Sequence, residues 1–284
     1  MVLGFVPVAA IRVGVGISFG IVRIRLKSRR CGSTWIGVRN QTKSSPITEA
    51  LVTAARRLRA ETSRLDFQPP VSLVYNPLVY AWAPYEAYLQ RFSGTHKRIV
   101  FLGMNPGPFG MVQTGVPFGE VAAVREWLKI ECPVGKPAQE HPRQPVSGFA
   151  CLRSEVSGRR FWGLLAERFG TPERFFADHM VMNYCPLAFL ESSGRNRTPD
   201  KLPASEKTAL FAACSRHLRA VIAALRPEWL VGIGEFAARR AEDVFPQGPL
   251  KVGRILHPSP ASPAANRNWK GLATHQLRQL GAWD

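Results

Sequence analysis

The stretch KRIVFLGMNPGPFGMVQTGVPFG, residues 97–119, decides the fold. It opens with a short apolar run bounded by charge, the pattern of a strand buried on both faces. Behind the run come five glycines and three prolines within residues 101–119, which is turn chemistry rather than helix chemistry. Flexible side chains are nearly absent there, so the backbone itself holds whatever Asn105 is presented to. The helical pattern EVAAVREWL follows at residues 120–128. Strand, stiff loop, helix is the opening unit of an α/β sheet, and the loop suits close approach to a flat ligand.

Working outward, the alternation repeats. HMVMNYCPL (179–187) reads as a second strand ending in a loop, and ASEKTALFAACSRHLRAVIAAL (204–225) as a long helix. EWLVGIG (228–234), EFAARRAEDVF (235–245) and KVGRILHP (251–258) read as strand, helix, strand, with a last helix over 269–280. Upstream, residues 45–65 carry Ser and Thr cap candidates and apolar residues at helical spacing, and a short helix is expected over 85–92. The fold class is therefore α/β: a largely parallel sheet with helices on both faces. No internal repeat is present. Ligands in such sheets bind outside the carboxyl ends of the strands, which singles out the loops after Leu102, Met182, Ile233 and Leu256.

Charge narrows the partner. Lys and Arg number 38 against 20 acids, a formal charge of +18. Residues 1–45 hold eight of those bases and no acid, which leaves +10 on residues 46–284. A basic main body points to a polyanion, because neutralised phosphates release counterions. The first 45 residues are read as a basic, disordered extension and residues 46–284 as one domain. Arg12 and Arg23 interrupt the N-terminal apolar run well short of a membrane span. The positive charges also follow the apolar run, unlike those of a secretory signal. An acid-free, Arg-bearing start also fits an organelle transit peptide, although Ser is sparse. The five cysteines are irregularly spaced with no CxxC pair, so metal ribbons and iron–sulfur frameworks lack support. Reduced intracellular thiols are expected.

Three of the four loops carry specialised residues. Asn105 and Phe118 lie on the first, Asn183 on the second, and His257 on the last, where HPSPASPAANRNW is stiffened by three prolines. Taken singly, the two Asn read better as turn caps, Phe118 as core and a strand-end His as structural. Taken together they describe a pocket for one extruded base. An Asn amide matches the N3–H/O4 edge of uracil, and an aromatic ring supplies a stacking face.

At these residues the chain resembles the uracil-DNA glycosylase superfamily, in particular its single-strand-selective monofunctional branch. The segments carrying the resemblance are GMNPGPFGMVQTGVPFGEV, EHPRQPVSGFACLRSEVSGRRFWG, NYCPLAFLESSGRNRTPDKLP, LVGIGEFAARRA and LHPSPASPAANRNW. They cover nearly everything from residue 75 onward and do not reach residues 1–45. The resemblance implies a three-layer α/β/α fold with a short, mostly parallel four-stranded central sheet. It also implies a base-excision-repair enzyme that flips uracil, and 5-hydroxymethyluracil, out of DNA and hydrolyses the N-glycosidic bond without a lyase step.

In that light Asn105 would hold the attacking water and His257 would bond uracil O2. Phe118 would stack on the base and Asn183 would read its edge. Met104, Gly107 and Met111 would shape the pocket beside the ring. Arg195, Asn196 and Arg197, with Ser259, Ala261, Asn266 and Arg267, would contact DNA. No metal or other cofactor is implied, and no Lys lies in the pocket motifs, Lys270 being in the following helix. The partners implied are single- and double-stranded DNA bearing uracil or oxidised pyrimidine, with no membrane and a monomeric state.

One departure stands out: vertebrate relatives carry Arg in the wedge after HPSP, where this chain has Ala261. An intracellular location follows, cytoplasm and nucleoid in a bacterium or nucleus in a eukaryote. Two other readings compete. One is a non-catalytic single-stranded DNA binder, and the other an iron–sulfur member of the superfamily.

Overall fold

The computed structural model describes residues 44–284, so the expectation for the basic extension falls almost wholly outside the described residues. In chain order the elements begin with α1 (Pro46–Thr62), β1 (Val71–Tyr75), α2 (Pro77–Tyr80), α3 (Trp82–Phe92) and β2 (Ile99–Gly103). Then follow α4 (Met111–Thr114), α5 (Val156–Phe169), α6 (Pro172–Asp178), β3 (His179–Asn183), β4 (Ala188–Glu191) and β5 (Asn196–Arg197). The chain ends with α7 (Ala204–Leu225), β6 (Trp229–Ile233), α8 (Glu235–Val244), β7 (Lys251–Ile255) and α9 (Pro263–Gln279).

Four strands form the central sheet in the order β3-β2-β6-β7, every neighbouring pair parallel. The sheet can be this apolar because helices cover both faces. On one face the Phe101 ring meets Phe161 of α5, Phe175 of α6 and Trp283. On the other, α8 comes so close to β6 that a Cβ on Gly232 would lie 2.3 Å from the Ala238 amide nitrogen. Beyond α8, helix α7 packs on α1. The result is a three-layer α/β/α fold.

Helix α1 starts as its sequence demands: Ser45 accepts the Thr48 amide at 3.1 Å and Pro46 fills the first helical position. Helix α7 is long and apolar enough to cross a membrane by length and composition. Here it buries Leu210, Cys214, Leu218, Val221 and Leu225 and is a core helix.

Four features were not anticipated. A second, antiparallel sheet, β1-β4-β5, takes in residues that look merely Pro-broken in the sequence. Helices α5 and α6 fill the face beside Phe101. The expected helix at 120–128 is instead dominated by a π-helical turn at Ala123–Trp127, closed by Leu128 N–H to Ala123 O at 3.0 Å. Cys151, Cys185 and Cys214 are free thiols, whereas Cys132 is disulfide-bonded and departs from the expectation of reduced cysteines.

The base of the sheet is locked by one histidine. His179, opening β3, donates from Nδ1 to Phe175 O at 3.0 Å and accepts at Nε2 from the Trp283 indole at 3.1 Å. Only the neutral ring can do both, and burial holds its pKa down to about 4. An unfolded histidine takes its proton near pH 6.5. This contribution to stability is therefore complete above that pH and is lost as pH falls from about 6.5 towards 4. We expect the urea midpoint to fall across that window, and to fall less steeply in H179Q, as followed by tryptophan fluorescence.

Candidate active site

The carboxyl ends of β2, β3 and β7 converge on one cavity of about 430 Å³. Its lining includes Met104, Asn105, Gly107, Phe118, Glu155, Asn183, Asn196, His257 and Ser259. Eight of the residues singled out from sequence are thus brought together. Glu155 is an addition to them.

The convergence depends on Gly103, the last residue of β2. It pairs in register with Asn183, and the ladder continues through Tyr184 N–H to Gly103 O and Cys185 N–H to Met104 O, both at 2.9 Å. A Cβ on Gly103 would lie 2.2 Å from Asn183 Oδ1 and 2.7 Å from Phe118 Cε2. The missing side chain is what lets these two residues meet over the strand end.

Phe118 is held in a conformation that non-glycine residues seldom adopt, with φ +52°. Such strain costs about 1–3 kcal/mol and persists only where the surroundings over-determine it. Here they do. Phe118 O accepts from the Trp162 indole at 3.0 Å and from the Glu120 amide at 2.7 Å. The Phe118 ring stacks on Phe161 at 4.8 Å between centroids. A Cβ on Gly158 would fall 2.2 Å from that same carbonyl, so α5 can approach only at a glycine. One face of the Phe118 ring is fixed by Phe161, while the residue itself lines the cavity.

Asn105 donates from Nδ2 to Leu187 O at 3.1 Å, which leaves Oδ1 as the acceptor available to a water. Asn183 donates from Nδ2 to the Met111 sulfur at 3.2 Å, a weak acceptor that a better one can replace. Met111 does not line the cavity; its sulfur orients the residue that does. His257 sits against Gly234, whose φ of +89° turns the chain out of β6 without a side chain in the way. Loss of water around the imidazole pushes its pKa down to about 4, so at neutral pH the ring is uncharged and keeps one N–H donor. The Phe118 and His257 rings are 6.1 Å apart and tilted.

The expected DNA-contacting residues divide. Asn196 faces inward, its Nδ2 donating to Pro106 O at 3.4 Å, and Ser259 also lines the cavity. Arg197 is committed to the β4–β5 hairpin, paired with Glu191 at 3.3 Å and donating to Lys201 O at 3.0 Å. Arg195, Ala261 and Arg267 are exposed. Asn266 braces the turn before α9 by donating to Pro260 O at 2.8 Å, and it accepts from Arg160 at 2.9 Å. Arg160 also donates to Pro258 O at 3.0 Å, a positioning role that the sequence did not reveal.

Glu155 was missed because a Glu before a helix reads as an ordinary surface residue. Its carboxyl lies against Gly107 and Gly110, and burial together with the neighbouring Glu120 raises its pKa to about 7. No Lys lines the cavity. Lys270 pairs with Glu167 on the exposed side of α9. Among the described residues no group of three His, Cys, Asp or Glu is placed to hold a metal.

Comparison with known proteins agrees with this geometry. The family model described as the Uracil DNA glycosylase superfamily matches residues 90–279. The single-strand selective monofunctional uracil DNA glycosylase of Mus musculus is 46% identical over 239 residues, covering 83% of this chain and 85% of that protein. Its counterpart of the same name in Bos taurus is 45% identical, covering 83% and 87%. The crystal structure of wild-type SMUG2 from Pedobacter heparinus shares the fold, with a TM-score of 0.60 at 19% identity over 81% of this chain and 97% of that one. A glycine-floored cavity at the end of a four-stranded parallel sheet and a matching sequence over most of its length lead to one assignment: the chain belongs to the uracil-DNA glycosylase superfamily.

Proposed function

We propose that the protein is a monofunctional DNA glycosylase of base-excision repair that flips uracil from DNA and hydrolyses its N-glycosidic bond. The observation that carries this reading is the convergence of Asn105, Phe118, Asn183 and His257 on one cavity. Relatives bearing the name of that activity cover most of the chain and support it. DNA is the partner, consistent with a formal charge of +18.

The mechanism follows from the residue types. As the bond breaks, the base leaves as an anion and the sugar approaches an oxocarbenium ion. The strongest demand is therefore on groups that receive negative charge. The neutral His257 N–H donates to O2 as charge develops there. A preorganised donor of this kind contributes roughly 3–4 kcal/mol. Asn183 accepts from N3–H and donates to O4, and Phe118 offers its ring to the base. Asn105 lacks the basicity to deprotonate water, so its contribution is orientation of the nucleophile. With no Lys on the cavity wall, no Schiff base forms and the product is an intact abasic site.

The reading extends to 5-hydroxymethyluracil as substrate, to both single- and double-stranded DNA, to a monomer, and to the compartment that holds the genome. The exposed turn at 258–262 enters the gap left by the flipped base. Ala261 fills that gap poorly, so product is held weakly.

An oligonucleotide with one uracil, single-stranded or duplex, is treated with enzyme and then with alkali. Wild type should yield strand cleavage, and N105A and H257A should each lose about 10²–10³-fold in rate. Bound DNA without cleavage would leave only a binder. Two further outcomes are expected in the same assay. G103A should lose activity by about 10²-fold while keeping its circular dichroism spectrum, because the new Cβ displaces Asn183 and Phe118. A261R should raise duplex excision and slow product release, and an unchanged variant would remove the wedge argument.

A further inference from the structure

Among the described residues three large apolar side chains are exposed, and they are not alike. Leu152 keeps 99% of its surface in solvent, against 53% for Val79 and 37% for Leu272. Scattered exposed apolar residues need no special cause. Leu152 is set apart by where it stands and by how it is held.

Two segments of chain meet at the mouth of the base cavity. Glu155 and Ser157 line it from one, His257 and Ser259 from the other. Arg160 ties the two together by donating to Pro258 O at 3.0 Å. Leu152 lies three residues before Glu155, much as Ala261 lies two residues after Ser259.

The seat of Leu152 is stiff. Ala150 N–H donates to Ser147 O at 3.2 Å and Cys151 N–H to Gly148 O at 3.1 Å, which closes a turn just ahead of it. On its other side the Arg153 guanidinium lies 3.8 Å from the centre of the Phe109 ring. That contact pins the segment to the turn whose Gly107 and Pro108 line the cavity. Its surroundings are basic as well. Residues 141–154 contain no acid, and Arg153 and Arg159, which follow it, are exposed. An apolar tip among cations suits a wedge that enters a base stack while its neighbours meet phosphates.

We infer that Leu152 is a second wedge, entering the stack of duplex DNA next to the nucleotide held in the cavity. The inference rests on the excision reading. When a nucleotide leaves the helix, the base steps beside it lose stacking, and an apolar side chain inserted there covers the exposed faces. Leu152 has no packing to lose on entering, and it gains the burial of nearly its whole side chain. Ala261 is too short to fill the helix from the turn at 258–262, so the task falls to the other segment. Single-stranded DNA has no paired stack to open, and there the wedge contributes nothing.

The test measures uracil excision from single-stranded and duplex oligonucleotides by wild type, L152M, L152A and L152Q. The side chain supports no packing, so all three variants should fold. L152A and L152Q should each lower the duplex-to-single-strand ratio of kcat/KM about tenfold, the scale of burying part of a leucine. L152M keeps length and apolar character, and its ratio should stay within about threefold of wild type. An unchanged ratio in L152Q overturns the inference, and so does an equal loss on both substrates.

A binding readout separates the wedge from the chemistry. The duplex carries a stable abasic-site analogue flanked by 2-aminopurine, whose fluorescence rises when it is unstacked. Saturating wild type should raise that signal, and saturating L152A should leave it near that of free duplex. An equal signal with both proteins overturns the wedge. A rise that depends on Leu152, in a protein that excises uracil from neither substrate, would overturn the excision reading and leave the wedge standing.

Discussion

The contact on which the site depends is the one made possible by a missing atom. Gly103 ends β2 with nothing on its Cα, and Asn183 and Phe118 occupy the space where a Cβ would stand. Parallel pairing fixes Asn183 opposite Gly103 in register, so sheet hydrogen bonds set its height. Phe118 reaches the same point from a loop, in a strained backbone conformation held by Trp162, Glu120 and the close approach of Gly158. In the proposed role of receiving a base, a ring ordered in advance spares binding the ordering cost. The strain is met in advance by the packing of α5.

Desolvation tunes two titratable groups in opposite directions. It lowers the His257 pKa to about 4 and raises that of Glu155 to about 7. Near neutral pH the imidazole is uncharged and burial works against ionisation of the carboxyl, so both groups shed charge within a protein of formal charge +18. The separation has a use. Phosphates need cations, and those belong outside, where solvent and salt let DNA come and go. A leaving base anion needs dipoles already aimed at it in a dry site, where each interaction is worth more than in water.

Much of this could be read from the sequence. The strands β2, β3, β6 and β7 announce themselves as apolar runs, and α7 begins and ends where its pattern does. Asn105, Phe118, Asn183 and His257 stand out because strand-end loops in a parallel sheet share one edge. What stayed hidden has physical reasons. β1 and β4 are short and their pairing is long-range, so no local period shows them. The π-helical turn leaves a sequence that still looks α-helical. Met111 acts through sulfur rather than from the cavity wall, and Arg197 is absorbed by Glu191; composition distinguishes neither from its alternative. Glu155 is hidden most completely, because its burial depends on Gly107 and Gly110, 48 and 45 positions upstream.

The division between a rigid sheet edge and an exposed turn bears on what can vary. The proposed chemistry rests on residues fixed by ladder hydrogen bonds and packed rings, where a displacement of about 1 Å is expensive. The segment from Pro258 to Asn266 is organised differently. Arg160 grips Pro258 and Asn266, Asn266 grips Pro260, Ser259 accepts the Ala261 amide, and Ser262 caps α9. Those bonds define the shape of the turn through backbone carbonyls and caps, and none of them uses the side chain of residue 261. The tip is therefore free to carry a large or a small residue without disturbing either the turn or the cavity. On the proposed reading, how firmly DNA is held open can thus change independently of how the bond is broken.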